Sequence, residues 1–296
     1  MTILELRNVF FSYNAHAREV VEVLKGVSLQ VDEGDLLAIA GSSGCGKTTL
    51  LKHMNGLLKA NSGQILYLGQ DIYAKEFDLS GLRKKVGLVF QSPETQLFCR
   101  TVLDDVCFGP MRLGVSRNEA VQAAKDSLQD VGLPESCWHM NPFDLSGGQK
   151  RCAAIAGVLA MNPEILVMDE PAAGLDPETR DHIMATVENI RTQRRIAVVL
   201  VSHSMEDIAV HANRLIVLHD GNVAFQGTPK EVFSHIQELD AIGIGVPQIT
   251  RITHSLMERG LPLRTPAITV NQAAMDILSI FGRDVRDDNV HNEDMP

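Results

Sequence analysis

The sequence predicts an α/β fold, in which a mostly parallel sheet is interleaved with helices and interrupted by a helical insertion. Three observations carry that expectation. Short apolar runs of strand length recur at Leu36–Ala40, Val86–Phe90, Ile165–Met168 and Ala197–Val201, as expected for strands buried on both faces. Segments with legible helix starts lie between them. Strands alternating with helices build a parallel sheet, whereas roughly Gln91–Met161 contains no convincing strand and breaks the alternation.

Taken in order, Leu36–Ala40 runs into Gly41 and a glycine-rich turn. Lys47–Leu58 then has helical composition, with an apolar face from Leu50, Leu51, Met54, Leu57 and Leu58. Ser116-Arg-Asn-Glu119 is a capping box that opens a helix over Ala120–Val131, because hydroxyl and carboxylate each satisfy a free N–H of the first turn. Asp176-Pro177 places a cap before a proline at the first helical position. Arg214–His219 and Asn222–Gln226 flank Asp220-Gly221, a two-residue hairpin turn. Thr228-Pro-Lys-Glu231 combines a capping box with a leading proline. Gly243, Gly245 and Pro247 mark a boundary. Two short helices follow, Pro247–Arg259 and Val270–Phe281, the second opened by Thr269-x-x-Gln272. The expected organisation is a main domain over 1–238, with its helical subdomain at about 91–161, and a C-terminal extension over 239–296. The acidic tail of that extension, from Arg283, is expected to be disordered. No internal repeat is present.

Composition narrows the function. With 45% hydrophobic and 22% charged residues in 296, the chain has enough apolar side chain for a large core. A net charge of −10 argues against non-specific nucleic-acid binding, which needs a broad basic surface. The longest apolar run, about Ala153–Met161, is far short of the ~20 residues of a membrane span. Met1–Phe10 lacks the pattern of a signal peptide, so a cytoplasmic protein is expected. Five scattered cysteines with no CxxC pair fit a reducing compartment, most of them as small buried hydrophobes.

The chemistry sits in three motifs. Gly41-Ser42-Ser43-Gly44-Cys45-Gly46-Lys47-Thr48, followed by Thr49, matches a phosphate-binding loop. Glycines let backbone N–H groups turn toward phosphate oxygens, and the next helix points its positive end at them. Lys47 reaches β- and γ-phosphates, and the Thr48 hydroxyl can ligate Mg²⁺. A bulky adduct on Cys45 is expected to fill space the phosphates need. Ile165–Asp169-Glu170 is an apolar strand ending in two carboxylates. Asp169 is suited to ordering Mg²⁺ and Glu170 to polarising water, and adjacent strand residues point differently, as two roles require. Leu145-Ser146-Gly147-Gly148-Gln149 opens a helix over Gln149–Ala160 and forms a second anion-seeking helix start.

With the last motif the sequence resembles the ABC ATPase family, whose signature reads LSGGQ. The resemblance covers roughly residues 3–235 with all motifs in family order. It implies a P-loop NTPase (RecA-like) core, an antiparallel β subdomain, a helical signature subdomain and a small C-terminal helical extension. It also implies two cassettes joined head to tail, each ATP lying between one phosphate loop and the partner's Ser146, Gly148 and Gln149 equivalents. Gln91 looks like the Q-loop glutamine that touches Mg²⁺ or water, and Asp176 in Ala173–Asp176 resembles the D-loop that crosses to the partner. His203 looks like the switch histidine. Tyr13 resembles the aromatic that stacks on adenine, a contact worth about 1–3 kcal/mol. Cys45 stands where Ser is common and Ala172 where Thr is frequent; neither departure removes a catalytic group.

The stretches Val86–Phe98, Thr101-Val102, Asp105–Pro110, Ala156–Met161, Ser202–Asp207 and Gly245–Gln248 are similar to the ATPases of energy-coupling factor (ECF) importers, including cobalt- and nickel-uptake ATPases. The likeness is to the second of two paralogous ATPases. It implies a heterodimer with the first paralogue, a transmembrane coupling subunit, a substrate-binding membrane subunit, and a place at the cytoplasmic face of the cell membrane. The solute would be a vitamin or a transition-metal ion. Alternatives are the ATPase of another ABC importer, for amino acids or ions, or a non-transport ABC ATPase. Of the apolar set Leu97, Phe98, Val102, Val106 and Phe108, about half is expected to pack the subdomain's own core and the rest to supply part of a groove for a helix of the coupling subunit, with acidic Glu94, Asp104 and Asp105 pairing with basic residues on that helix.

Overall fold

A computed structural model describes residues 1–13, 20–92 and 95–282. The expected acidic tail and Glu94 lie outside the described residues. The chain opens with β1 (Thr2–Tyr13) and β2 (Val21–Asp32), then β3 (Leu36–Gly41) and α1 (Lys47–Met54). Next come β4 (Ser62–Tyr67), β5 (Gln70–Asp71), α2 (Leu79–Lys85) and β6 (Val86–Val89). Four helices follow: α3 (Val102–Arg112), α4 (Arg117–Asp130), α5 (Glu135–Trp138) and α6 (Gly147–Leu159). The alternation then resumes with β7 (Ile165–Asp169), α7 (Pro177–Arg194), β8 (Ala197–Val201), α8 (Met205–His211), β9 (Arg214–His219) and β10 (Asn222–Gly227). Helices α9 (Pro229–Phe233), α10 (Ile236–Ala241), α11 (Gln248–Glu258) and α12 (Val270–Ile280) close it.

Two sheets result. The larger runs β10-β9-β3-β8-β7-β6, parallel except for β10, which returns antiparallel to β9. Every residue of β3, β6, β7 and β8 is buried, because both faces are covered, one by helices and the other by α1 and the second sheet. The second sheet, β2-β1-β4-β5, is antiparallel. Its inner face joins α1 and the parallel sheet in one core that includes Leu4, Leu6, Leu24, Leu50, Met54 and Ile65. The α/β expectation therefore holds, with its antiparallel companion.

Local chemistry explains most boundaries. Asp220 and Gly221 both adopt positive φ (46° and 78°), the conformation a two-residue turn demands. Capping boxes close the starts of α4 at Ser116/Glu119 and of α9 at Thr228/Glu231. One extent differs from expectation: α1 stops at Met54, not Leu58. Gly56 takes φ +68° and turns the chain, so that Leu57 and Leu58 both donate their N–H to Lys52 O and end the helix. Among the described residues no helix is long and apolar enough to cross a membrane.

The helical stretch packs Val102, Val106, Ala120, Leu128, Trp138, Ile155 and Leu159 against β7 and α7. Between β6 and α3 the chain is fastened by side chains. Gln96 accepts from Phe90 N (3.0 Å) and donates to Leu88 O (3.4 Å) along the edge of β6. Asp105, 8% exposed, accepts from Phe98 N (3.1 Å) and Cys99 N (2.9 Å). This corrects one expectation: Asp105 is spent inside the chain and is not free for a partner's cation. Thr101 caps α3, and Asp104 in its first turn accepts from the Thr101 hydroxyl (2.8 Å) and stands 3.8 Å from Arg117. Leu97, Val102 and Val106 are core, whereas Phe98 and Phe108 are exposed and stack edge to face at 4.8 Å.

Candidate functional site

Strand order places the chemistry. Lys47 follows β3, His203 follows β8, Glu170 follows β7 and Gln91 follows shortly after β6, so all four rise from the carboxyl ends of neighbouring parallel strands, where open α/β sheets bind ligands. One cleft is lined by Tyr13, Val23, Ser43, Gly44, Gly46, Lys47, Thr48, Thr49, Gln91, Glu170 and His203.

The loop after β3 is shaped for close backbone approach. Gly46, which precedes α1, has φ +106°, and a Cβ there would sit 3.0 Å from Val23 O, so only glycine fits. Lys47, 7% exposed, donates from Nζ to Gly41 O (2.8 Å) and Ser42 O (2.9 Å). Cys45 departs from expectation. Its Sγ packs beneath the loop, 2.6 Å from where a Cβ on Gly41 would be, among core residues that include Leu218 and Ile39. The thiol lies away from the cleft, burial pushes its pKa up, and an adduct there would disrupt the loop's support rather than occupy the phosphate space. Its N–H donates to Ser42 O at 3.3 Å.

Two adjacent carboxylates diverge. Asp169, buried at the end of β7, accepts from Thr48 Oγ1 at 2.6 Å. Burial raises its pKa; the Thr48 bond works against the rise, and the Glu170 charge adds to it. Asp169 and Thr48 thus bring two hard oxygen donors together, a donor set that suits Mg²⁺. Glu170 turns the other way, with Oε1 2.7 Å from His203 Nε2 and Oε2 accepting from Gln91 Nε2 at 3.0 Å. The backbone of Glu170 is left-handed at φ 52°, unusual for a side chain with a Cβ. Its N–H donates to Val201 O (3.1 Å), and its carbonyl accepts from Ala173 N (3.2 Å) and Arg151 Nη1 (2.9 Å).

Tyr13, 39% exposed at the end of β1, has its hydroxyl 3.2 Å from Thr49 Oγ1. Phe11 meets it edge to face at 4.8 Å and meets His53 at 4.6 Å. His53 is fully buried, and burial lowers its pKa. The neutral ring donates from Nδ1 to Thr49 O (2.7 Å), so an aromatic stack ties Tyr13 to the helix after the phosphate loop.

The remaining expected site residues stand at another part of the chain, where α6 and α7 begin. Ser146 caps α6, accepting from Gln149 N (3.3 Å), while Gln149 Oε1 accepts from Ser146 N (2.9 Å) and its Nε2 donates to Cys137 Sγ (3.7 Å). Asp176 caps α7, accepting from Thr179 N (3.0 Å) and Thr179 Oγ1 (2.7 Å), bonds that hold its carboxyl below the usual range. A Cβ on Gly148 would fall 2.5 Å from Thr179 Cγ2, so the two helix starts touch. Ser146, Gly148, Gln149 and Asp176 do not line the cleft of Lys47 and Glu170.

Sequence reasoning overlooked Arg151, whose guanidinium reaches Glu170 O and Ala173 O. A lone arginine inside a helix gives no signal of where it ends. It also overlooked Arg180, paired with Asp207 and Ser204 beside His203.

Comparison with known proteins agrees with this geometry. A model of the family described as ABC transporter matches residues 24–173. The energy-coupling factor transporter ATP-binding protein EcfA2 of Caldanaerobacter subterraneus subsp. tengcongensis is 42% identical over 275 residues, covering 93% of this chain and 96% of that protein. Among solved structures, cbiO1 of Clostridium perfringens, part of the ABC transporter complex cbiONQ, superposes with a TM-score of 0.73 at 33% identity, over 87% of this chain and 99% of its own. An ATP-binding cassette described as dimeric, in a post-hydrolysis state with ADP and Pi, does so with a TM-score of 0.68 at 30% identity, over 77% and 99%.

Proposed function

The chain belongs to the ABC transporter family, and from that premise we propose that it is an ATP-hydrolysing subunit of an ECF-type importer, working at the cytoplasmic face of a membrane. The observation that carries this reading is the Glu170 carboxylate, held by His203 at 2.7 Å and Gln91 at 3.0 Å in the same cleft as Lys47 and Thr48.

ATP lies along that cleft. Tyr13 offers its ring face to the base, and the N–H groups of Ser43–Thr49 with the Lys47 ammonium hold the phosphates. Thr48, Asp169 and Gln91 would hold Mg²⁺, which would supply positive charge to neutralise that of the phosphates. Glu170 takes the proton of the attacking water, His203 keeps that carboxylate oriented through Nε2, and Lys47 meets the developing charge. No covalent intermediate is needed, because phosphoryl transfer is served by positioning and electrostatics.

A dimer completes the site. Ser146, Gly148, Gln149 and Asp176 stand apart from this chain's own cleft, which fits their facing the nucleotide of a second cassette. That cassette is the first ECF paralogue. Phe98 and Phe108, exposed beside Asp104, receive a helix of a transmembrane coupling subunit, and a substrate-binding membrane subunit presents a vitamin or a transition-metal ion. The test is ATP-driven uptake by the reconstituted complex, measured beside hydrolysis with Mg²⁺ and with chelator. Hydrolysis that is indifferent to Mg²⁺, or a complex that takes up no solute with ATP supplied, would defeat the reading.

A further inference from the structure

We propose that Arg151 is a positioning residue that ties the helix start at Ser146–Gly148 to the carboxylate of Glu170. The inference rests on the function proposed above, in which the start of α6 faces nucleotide held by the partner cassette while Glu170 serves this chain's own phosphate loop.

Arg151 lies on α6 shortly after the Ser146 cap and is only 7% exposed. A buried guanidinium is costly unless its donors are satisfied. Here Nη1 donates to Glu170 O at 2.9 Å and Nη2 to Ala173 O at 3.3 Å. Both acceptors are backbone carbonyls of the turn that follows β7. In that turn Glu170 adopts φ 52°, a conformation that persists only where surroundings impose it. The Arg151 fork on the carbonyl side and the bond from Glu170 N to Val201 O on the amide side fix the two peptides that flank the Glu170 Cα. Rotation of either peptide would carry the carboxylate away from His203 and Gln91.

The path to the other end of α6 is short and stiff. Gly148 touches Thr179, and Thr179 is bonded to Asp176, so the starts of α6 and α7 move together. Arg151 travels with α6 as a rigid side arm. A nucleotide that presses on Ser146–Gly148 therefore biases the backbone that aims Glu170, and occupancy of one site alters water activation at the other.

Lysine separates this role from mere packing, because a single ammonium cannot reproduce a planar fork across two carbonyls. In the full-length chain assembled with its ATPase partner, Arg151→Lys is expected to keep nucleotide affinity and melting temperature. Its kcat should fall about tenfold with KM within about twofold. Unchanged kcat overturns the proposal, as does a loss matched by equal losses in affinity and melting temperature. Arg151→Ala should fall further in kcat, and the lysine variant decides the matter if alanine does not fold. A wild-type assembly that binds ATP yet hydrolyses none defeats the proposed function instead. Amide exchange then reads the inference: ATP should slow exchange at Glu170 and Ala173 in the wild type and not in Arg151→Lys, and an identical response in both overturns it.

Discussion

Gly148 and Thr179 meet at the starts of two helices, and a single added methyl on Gly148 would stand 2.5 Å from Thr179 Cγ2. Read from sequence, Gly148 belongs to a ligand-seeking helix start. The contact adds a second reason for glycine that holds with no ligand bound.

Gly148→Ala is accordingly expected to cost about 1–3 kcal/mol through overpacking. Removing the opposing methyl with Thr179→Ser should recover most of that loss. Thermal unfolding of both single variants and the double variant measures it, and simple additivity would show that the two residues do not press on each other.

Glu170→Gln should leave ATP binding intact and lower turnover at its own site by at least about a hundredfold, the usual loss on removing a general base. The amide keeps one acceptor oxygen for the donors of Gln91 and His203 but cannot take a proton. Single-turnover hydrolysis with the partner site separately disabled is the measurement, and near-normal turnover would remove Glu170 from that role.

Tyr13→Ala is expected to weaken ATP about tenfold, roughly 1–2 kcal/mol of lost stacking. Tyr13→Phe keeps the ring and loses only the contact with Thr49, so it should bind nearly as well as the wild type. Titration with ATP and GTP compares them; equal losses in both variants would mean that the hydroxyl, not the ring, carries the affinity.

Asp104→Lys and Phe98→Ala should impair uptake in the reconstituted complex while the ATPase pair still hydrolyses ATP, because both side chains are exposed beyond the catalytic cleft. Asp105→Ala is a different case. It strands two backbone N–H groups and should cost about 1–3 kcal/mol of stability, visible as a lower melting temperature before any effect on transport. Uptake unaffected by both surface variants would place docking elsewhere.

Glu164 accepts from Lys85 Nζ at 2.6 Å and Tyr67 OH at 2.5 Å. Burial pushes its carboxyl up, but the bonds from Lys85 and Tyr67 outweigh burial and hold it below its ordinary value of 4.5. A carboxyl with a lowered folded pKa contributes stability above its unfolded value, lost as pH falls through the folded one. Glu164→Gln should therefore lower stability at neutral pH, by up to about 1 kcal/mol for so solvated a group, and flatten the acid limb below about pH 4.5. Parallel wild-type and variant curves of stability against pH would contradict it.

What was legible in the sequence is what short-range pattern dictates. A strand that ends in a glycine-rich loop, an apolar run that ends in Asp169-Glu170, and caps at Ser116, Asp176 and Thr228 each write their geometry within a few residues. Contacts between distant segments leave no such mark. Nothing near Arg151 indicates that its fork ends on Glu170 and Ala173, and nothing near Cys45 indicates that its thiol turns beneath Gly41 rather than toward phosphate. Asp105 reads as a surface acid because its two amide partners lie six and seven residues upstream, brought back by a loop whose path only the tertiary structure sets. The early end of α1 is a milder case, since Gly56 was visible but its left-handed backbone was outweighed by the apolar pattern of Leu57 and Leu58.

The amide of Gln96 has a consequence for solubility. β6 is the outermost parallel strand of its sheet, and a strand so placed offers its free N–H and C=O groups to any other extended chain, a standing invitation to aggregate. Gln96 fills two of those positions with its own side chain, at Phe90 N and Leu88 O, and so imitates the neighbour that the sheet lacks. Any rearrangement that lifted Gln96 off the strand would bare that edge, so self-association should rise when this short connection is loosened, even where the catalytic groups are untouched.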